Sequence, residues 1–241
     1  MIYPMKLTAP LKDYIWGGTR LKTEYGKKTS LAKVAESWEL ACRKDEQSII
    51  ASGPDRGMTL EAYIAREGAN IVLGSHGSRY SYFPLLVKLI DAHDDLSVQV
   101  HPNDAYAFAH EGEYGKTEMW YIIDAEPGAE LIHGFRKSIT REECRRRIED
   151  GSLMEVVKRE KVKAGDVVVI PSGTLHAVGK GVFLASKTPI RHTASMTMAV
   201  LAGTADRGSS ISTRPWMSFP LSRRSWPSAR ALCLAYLLST A

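Results

Sequence analysis

The stretch LSVQVHPND, residues 96–104, sets Gln99 and His101 two positions apart in an otherwise apolar run that breaks at Pro102. In a strand, side chains at i and i+2 project from one face, so the carboxamide and the imidazole stand side by side. Two such groups form either a pair of metal ligands or a hydrogen-bonded polar pair, and their spacing alone leaves both open. A second run, GDVVVIPSGTLHAVGKG at residues 165–181, offers another imidazole. Its apolar segment ends at a turn carrying Pro171 and Gly173, and the returning segment delivers His176. His76, His93, His110, His133 and His192 sit in no such pattern and read as structural hydrogen-bonding groups.

The elements that must position these residues are mostly short strands. FPLLVKLIDA, LSVQVH, EMWYIIDA, AELIHGF, EKVKAGDVVVIPSG and LHAVGKGVFLAS are rich in Val, Ile, Tyr and Trp and are separated by Gly, Pro and Asp. Many short strands with turn signals predict an antiparallel sandwich or barrel. Helices interrupt them at two places. LEAYIAREG reads as a short helix ended by Gly68, and residues 136–160 read as one or two helices, with Thr140 as N-cap, Glu143 at the capping-box position and Gly151 as a stop. No glycine-rich phosphate loop opens a helix, so a nucleotide-binding fold has no support.

With 241 residues, 44% hydrophobic and 24% charged, the chain has the length and composition of a soluble globular protein of one large or two small domains. No run approaches the roughly 18 apolar residues of a membrane span, and the first residues lack the pattern of a secretory leader. Cys42, Cys144 and Cys233 are odd in number, far apart and form no CxxC, which predicts a reduced, cytoplasmic protein. The net charge of +5 is unevenly placed: residues 186–241 carry seven Lys/Arg against one Asp/Glu, whereas residues 1–185 carry 25 against 26. The neutral body argues against nucleic-acid binding, and a basic tail alone does not require it.

The order Gly165, Pro171, Gly173, His176 is similar to the second motif of the cupin superfamily, although Lys180 stands where an Asn is usual. That resemblance implies a mainly β fold, a cupin jelly-roll barrel with a few helices. It also implies that Gln99-x-His101 takes the place of the first motif's His-x-His, with Glu118 following after the insertion PNDAYAFAHEGEYGKT. Across residues 1–185 the segments DYIWGGTRL, ESWEL, FPLLVKLIDA, LSVQVHPND, GEYGKTEMWYIIDA, AELIHGF and PSGTLHAVGKG resemble type I phosphomannose isomerases in their shorter bacterial form. This second resemblance implies a zinc-dependent aldose–ketose isomerase interconverting mannose 6-phosphate and fructose 6-phosphate. Carried over by position, Gln99, His101, Glu118 and His176 are the ligands of one Zn2+, while Lys116, Lys88 and Ser97 contact the sugar phosphate. The implied partner is that small molecule, not a nucleic acid or a membrane. The oligomeric state is left open, with a monomer among the options. The alternative is a non-catalytic metal-dependent cupin that binds a sugar or sugar phosphate.

After GKGVFLA the resemblance stops. Type I isomerases continue with a QNS-containing segment and then TYRVYDYGR, whose first arginine serves catalysis or substrate binding; this chain has SKTPIRHTASMTMAV. Back-translated and read from the last base of each codon, that segment permits QNSDSTYRVYDYGR, and LAGTADRGSSI permits a similar continuation. The expectation is therefore that residues from about Ser186 are read out of frame. The family arginine would fall near Ala194, leaving a basic tail over residues 186–241 with sixteen Ser/Thr. The C-terminal β-domain is then incomplete or replaced. Weak stability and little or no isomerase activity follow for the chain as written.

Overall fold

The computed structural model describes residues 2–43, 46–77, 80, 83, 85–111, 114–189 and 196–198. In chain order the elements are β1 (Leu7–Thr8), β2 (Leu11–Lys12), α1 (Arg20–Thr23), β3 (Glu36–Leu40), β4 (Ile49–Ile50), α2 (Leu60–Glu67), α3 (Ala69–Val72) and α4 (Gly74–Gly77). There follow β5 (Leu85–Ala92), β6 (Val98–Val100), α5 (Asp104–Glu111), β7 (Glu118–Ala125), β8 (Glu130–Phe135) and α6 (Arg141–Glu149). A 3-10 turn over Leu153–Glu155 precedes β9 (Val157–Lys161), β10 (Val167–Ile170), β11 (His176–Val178), β12 (Val182–Pro189) and β13 (Met196–Met198).

Local chemistry accounts for these boundaries. Along β7 Glu118, Trp120 and Ile122 are buried while Met119 and Tyr121 are exposed, the period of two of a half-covered strand. The helix α2 starts where the Thr59 hydroxyl accepts from the Ala62 N–H at 3.2 Å, and stops at Gly68, whose φ of +93° suits a residue without Cβ. In α6 the Thr140 hydroxyl accepts from the Glu143 N–H at 3.1 Å, and Cys144 and Ile148, one turn apart, bury the apolar face. Only half of the expected capping box forms, because the Glu143 carboxylate pairs with Arg147 at 2.9 Å instead. The end of the predicted helical stretch becomes the 3-10 turn and β9, and the insertion before Glu118 contains a helix, α5, that the sequence reading did not assign.

The strands build three antiparallel sheets: β1-β4, β10-β7-β12-β5-β3-β2 and β13-β6-β11-β8-β9. Among the described residues the expected jelly-roll barrel does not form. A barrel needs its terminal strands to pair, yet β10 and β2 end the six-stranded sheet with four strands between them, and β13 and β9 likewise end the five-stranded one. The architecture is a mixed one, helices packed on open antiparallel sheets. Ile90, Trp120, Ile122, Ile170 and Leu184 of the larger sheet and Leu131 and Val178 of the smaller share one buried cluster, so the two sheets lie face to face. On the other side of the smaller sheet, Val98, Val100, Ile132 and Ala177 pack with Cys144 and Ile148 of α6.

β12 runs across the expected boundary at Ser186: Ser186, Lys187 and Thr188 pair with Lys88, Val87 and Leu86 of β5. Apart from β13 and the end of β12, the expected tail, Ala194 and the C-terminal β-domain lie outside the described residues. Cys42 and Cys144 are free and buried, and Cys233 lies outside the described residues. Among the described residues no helix is long and apolar enough to cross a membrane.

Candidate metal centre

Three ligand-bearing segments meet at one end of the space between the sheets. His101 follows β6, Glu118 opens β7 and His176 opens β11. All three are buried, and their ligand atoms lie within 4.8 Å of one another. The Glu118 Oε2 is 3.7 Å from the His101 Nε2 and 3.5 Å from the His176 Nε2. Trp120, two residues along β7 from Glu118, makes a T-shaped contact with the His176 ring, their centroids 5.5 Å apart.

Hydrogen bonds orient the rings. The His176 Nδ1–H donates to the Thr174 carbonyl at 2.8 Å, and its Nε2 is buried and, among the described residues, without a hydrogen-bond partner. The Lys116 ammonium donates to the His101 Nε2 at 3.1 Å and pairs with the Glu118 Oε1 at 2.6 Å. Burial, reinforced by that ammonium, pushes the His101 pKa down to about 3, so the ring is neutral and its contact with Glu118 is not an ion pair. Burial alone would raise the Glu118 pKa. The Lys116 charge and the two imidazoles outweigh it and hold the carboxyl well below its usual range. The His101 Nε2, the His176 ring and the Glu118 carboxylate therefore converge, with the Lys116 ammonium against them. Acceptors so placed repel one another unless a cation shares them, and Lys116 already supplies one. The donor set of two nitrogens and one oxygen suits a divalent first-row ion.

The remaining sequence candidates are arranged around this centre. Gln99 on β6 is the register partner of His176, and directly paired residues share a sheet face, so its half-buried side chain belongs to the same face. Lys88 on β5 donates to the Glu36 Oε1 at 2.9 Å. Burial disfavours the Lys88 charge, but the carboxylates of Glu36 and Glu118 outweigh it and raise the pKa. For Lys116 burial prevails over Glu118, and the neighbouring Lys88 charge adds to it, so its pKa is lowered. Ser97 is half buried immediately before β6, and among the described residues no hydrogen bond joins its hydroxyl to the cluster. Sequence reasoning missed Glu36, which is 5% exposed and also accepts from the Trp38 indole N–H at 2.8 Å. Its signal was a carboxylate inside the apolar run VAESWEL. His133 is the other register partner of His176 and is held at 3.3 Å by Glu160.

These features define the class: a face-to-face β-sheet protein with a buried cluster of two histidines and one glutamate able to hold a divalent metal ion. Residues 5–129 match the family phosphomannose isomerase type I, catalytic domain. The mannose-6-phosphate isomerase of Streptococcus mutans is 41% identical over 184 residues, 76% of this chain and 57% of that protein. The probable mannose-6-phosphate isomerase GmuF of Bacillus subtilis is 44% identical over 182 residues, 75% of this chain and 56% of that one. The crystal structure of the mannose 6-phosphate isomerase from B. subtilis superposes with a TM-score of 0.71 at 38% identity, covering 77% of this chain and 58% of that one. The protein belongs to the type I phosphomannose isomerase family, and it spans somewhat more than half the length of the relatives it matches.

Proposed function

We propose that this centre holds Zn2+ and serves the interconversion of D-mannose 6-phosphate and D-fructose 6-phosphate. The observation that carries the reading is the convergence of His101, Glu118 and His176 with the Lys116 ammonium against them. Gln99, on the same sheet face, completes the ligand set. Bound zinc would polarise the sugar carbonyl and stabilise the negative charge that develops when the adjacent carbon loses its proton. Lys88, held charged by Glu36, and Lys116 supply fixed cations for sugar oxygens or phosphate, with Ser97 as a polar contact beside β6. The buried setting makes each charge count for more than it would in water. A cytoplasmic setting belongs to the same reading and rests on cysteines that form no paired motif.

We further propose that residues from about Ser186 are out of frame and that the chain as written turns over little substrate. Two groups support this: among the described residues the Ser186 and Thr188 hydroxyls are buried without hydrogen-bond partners, at the boundary and just beyond it. A native strand rarely leaves such groups unsatisfied. Sequencing the coding DNA across codons 180–205 and assaying zinc-dependent fructose 6-phosphate formation tests both parts. The expected result is a frame-restored chain that is active and a chain as written that is not. Full turnover by the chain as written overturns the frame reading. A frame-restored chain that binds sugar phosphate without converting it overturns the isomerase reading.

A further inference from the structure

The three segments that carry the ligands are joined to one another, pairwise and all the way round, by hydrogen bonds that involve no ligand side chain. The Lys116 N–H donates to the Pro102 carbonyl at 3.0 Å, tying the segment after His101 to the one before Glu118. The Ser172 N–H donates to the Thr117 hydroxyl at 3.3 Å, tying the segment before Glu118 to the turn before His176. The Gly173 N–H donates to the His101 carbonyl at 2.7 Å and closes the circuit.

The seam between residues 102–104 and 115–116 is tight. The Gly115 N–H donates to the Asp104 carboxylate at 2.7 Å, and a Cβ on Gly115 would lie 2.3 Å from the Asn103 carbonyl carbon and 2.5 Å from both the Asp104 nitrogen and the Pro102 oxygen. Those neighbours are backbone atoms that cannot swing aside, so only glycine fits. Gly173, with φ of +88°, makes the turn that aims its N–H at His101.

We propose that this closed ring of hydrogen bonds pre-forms the metal centre, with Gly115 and Thr117 as positioning residues. His101 is itself a ring member through its carbonyl, Glu118 directly follows Thr117, and His176 lies three residues beyond Gly173. The ring therefore sets the separation of the three donor groups before any ion arrives, and the ordering entropy is met during folding and not at binding. The inference rests on the metal reading of the site but not on its isomerase reading.

The test uses the whole chain, with Zn2+ affinity measured by competition against a chromophoric chelator and Co2+ binding followed by its visible absorption. Outer hydrogen bonds of metal centres are worth about 10–100-fold in affinity. Thr117→Val should weaken Zn2+ binding by about tenfold and alter the Co2+ spectrum, with the apo melting midpoint unchanged, because Thr117 is exposed. Thr117→Ser keeps the acceptor and should restore both readings. Gly115→Ala should weaken binding more than Thr117→Val does; if it fails to fold, the Thr117 pair decides. Variants that bind like the wild type, or a loss that serine does not restore, overturn the ring as a positioning device. A wild-type chain that binds neither ion overturns the metal reading together with it.

Discussion

Glu118 is the residue on which the site turns, because it faces two imidazoles with one oxygen and an ammonium with the other. Replacing it by glutamine removes the carboxylate that favours the Lys116 charge and leaves that buried amine without its ion-pair partner, which costs about 3 kcal/mol. Urea denaturation of the apo protein should show that loss for Glu118→Gln, and the double variant Glu118→Gln/Lys116→Met should lose less than the two single losses added, since the pair acts as a unit. A second prediction at this scale concerns Cys42. Burial, with Glu61 nearby, pushes its thiol up to about 11. The folded state then keeps a proton that the unfolded chain releases at lower pH, so the stability it contributes is intact below pH 8–9 and is lost as pH rises toward 11. Melting points of wild type and Cys42→Ala should therefore converge on the alkaline side. Of these residues, spacing placed Gln99 and His101 side by side and His176 after a turn, while the grouping of His101, Glu118 and His176 came only from the family pattern. The contact of Lys116 with His101 was not legible, since it depends on how the insertion between them folds back.

At the level of elements, α2 and α6 were readable because their signals are local: a threonine at the start, apolar residues one turn apart, a glycine after the end. Thr140→Ala should cost about 1 kcal/mol in urea denaturation by removing the acceptor for the Glu143 N–H. The helix α5 escaped notice for a physical reason. Its start at Asp104 follows the Asn103 carboxamide, which accepts from the Tyr106 N–H at 2.9 Å, but its sequence DAYAFAHE carries small and aromatic residues without an apolar stripe. β12 presents the opposite case, a strand whose last residues conflict with their surroundings. Thr188→Val removes a buried hydroxyl without changing shape and should raise stability by about 1 kcal/mol. A fall of similar size in urea denaturation would mean that the hydroxyl has found a partner.

For the molecule as a whole, the sequence carried the antiparallel, strand-rich character but not the topology. Whether the last strand of a sheet meets the first depends on pairings between residues far apart in the chain, such as Val182 with both Ala92 and Ala125, and alternation along one strand says nothing of them. What holds the two sheets together is their shared core, in which Leu131 is 1% exposed. Leu131→Ala should cost about 3 kcal/mol by calorimetry or urea, as a buried leucine that loses its contacts on both sides. The hydrogen bond between Lys116 and Pro102 also bears on how the chain tolerates change in length. That bond brackets the connection that carries α5 and holds its two ends together, so a change of length beyond α5 leaves His101 and Glu118 where they are. Between those two ligands, relatives are free to differ in sequence spacing, and an alignment of them should accumulate its gaps inside this stretch and not at its two ends.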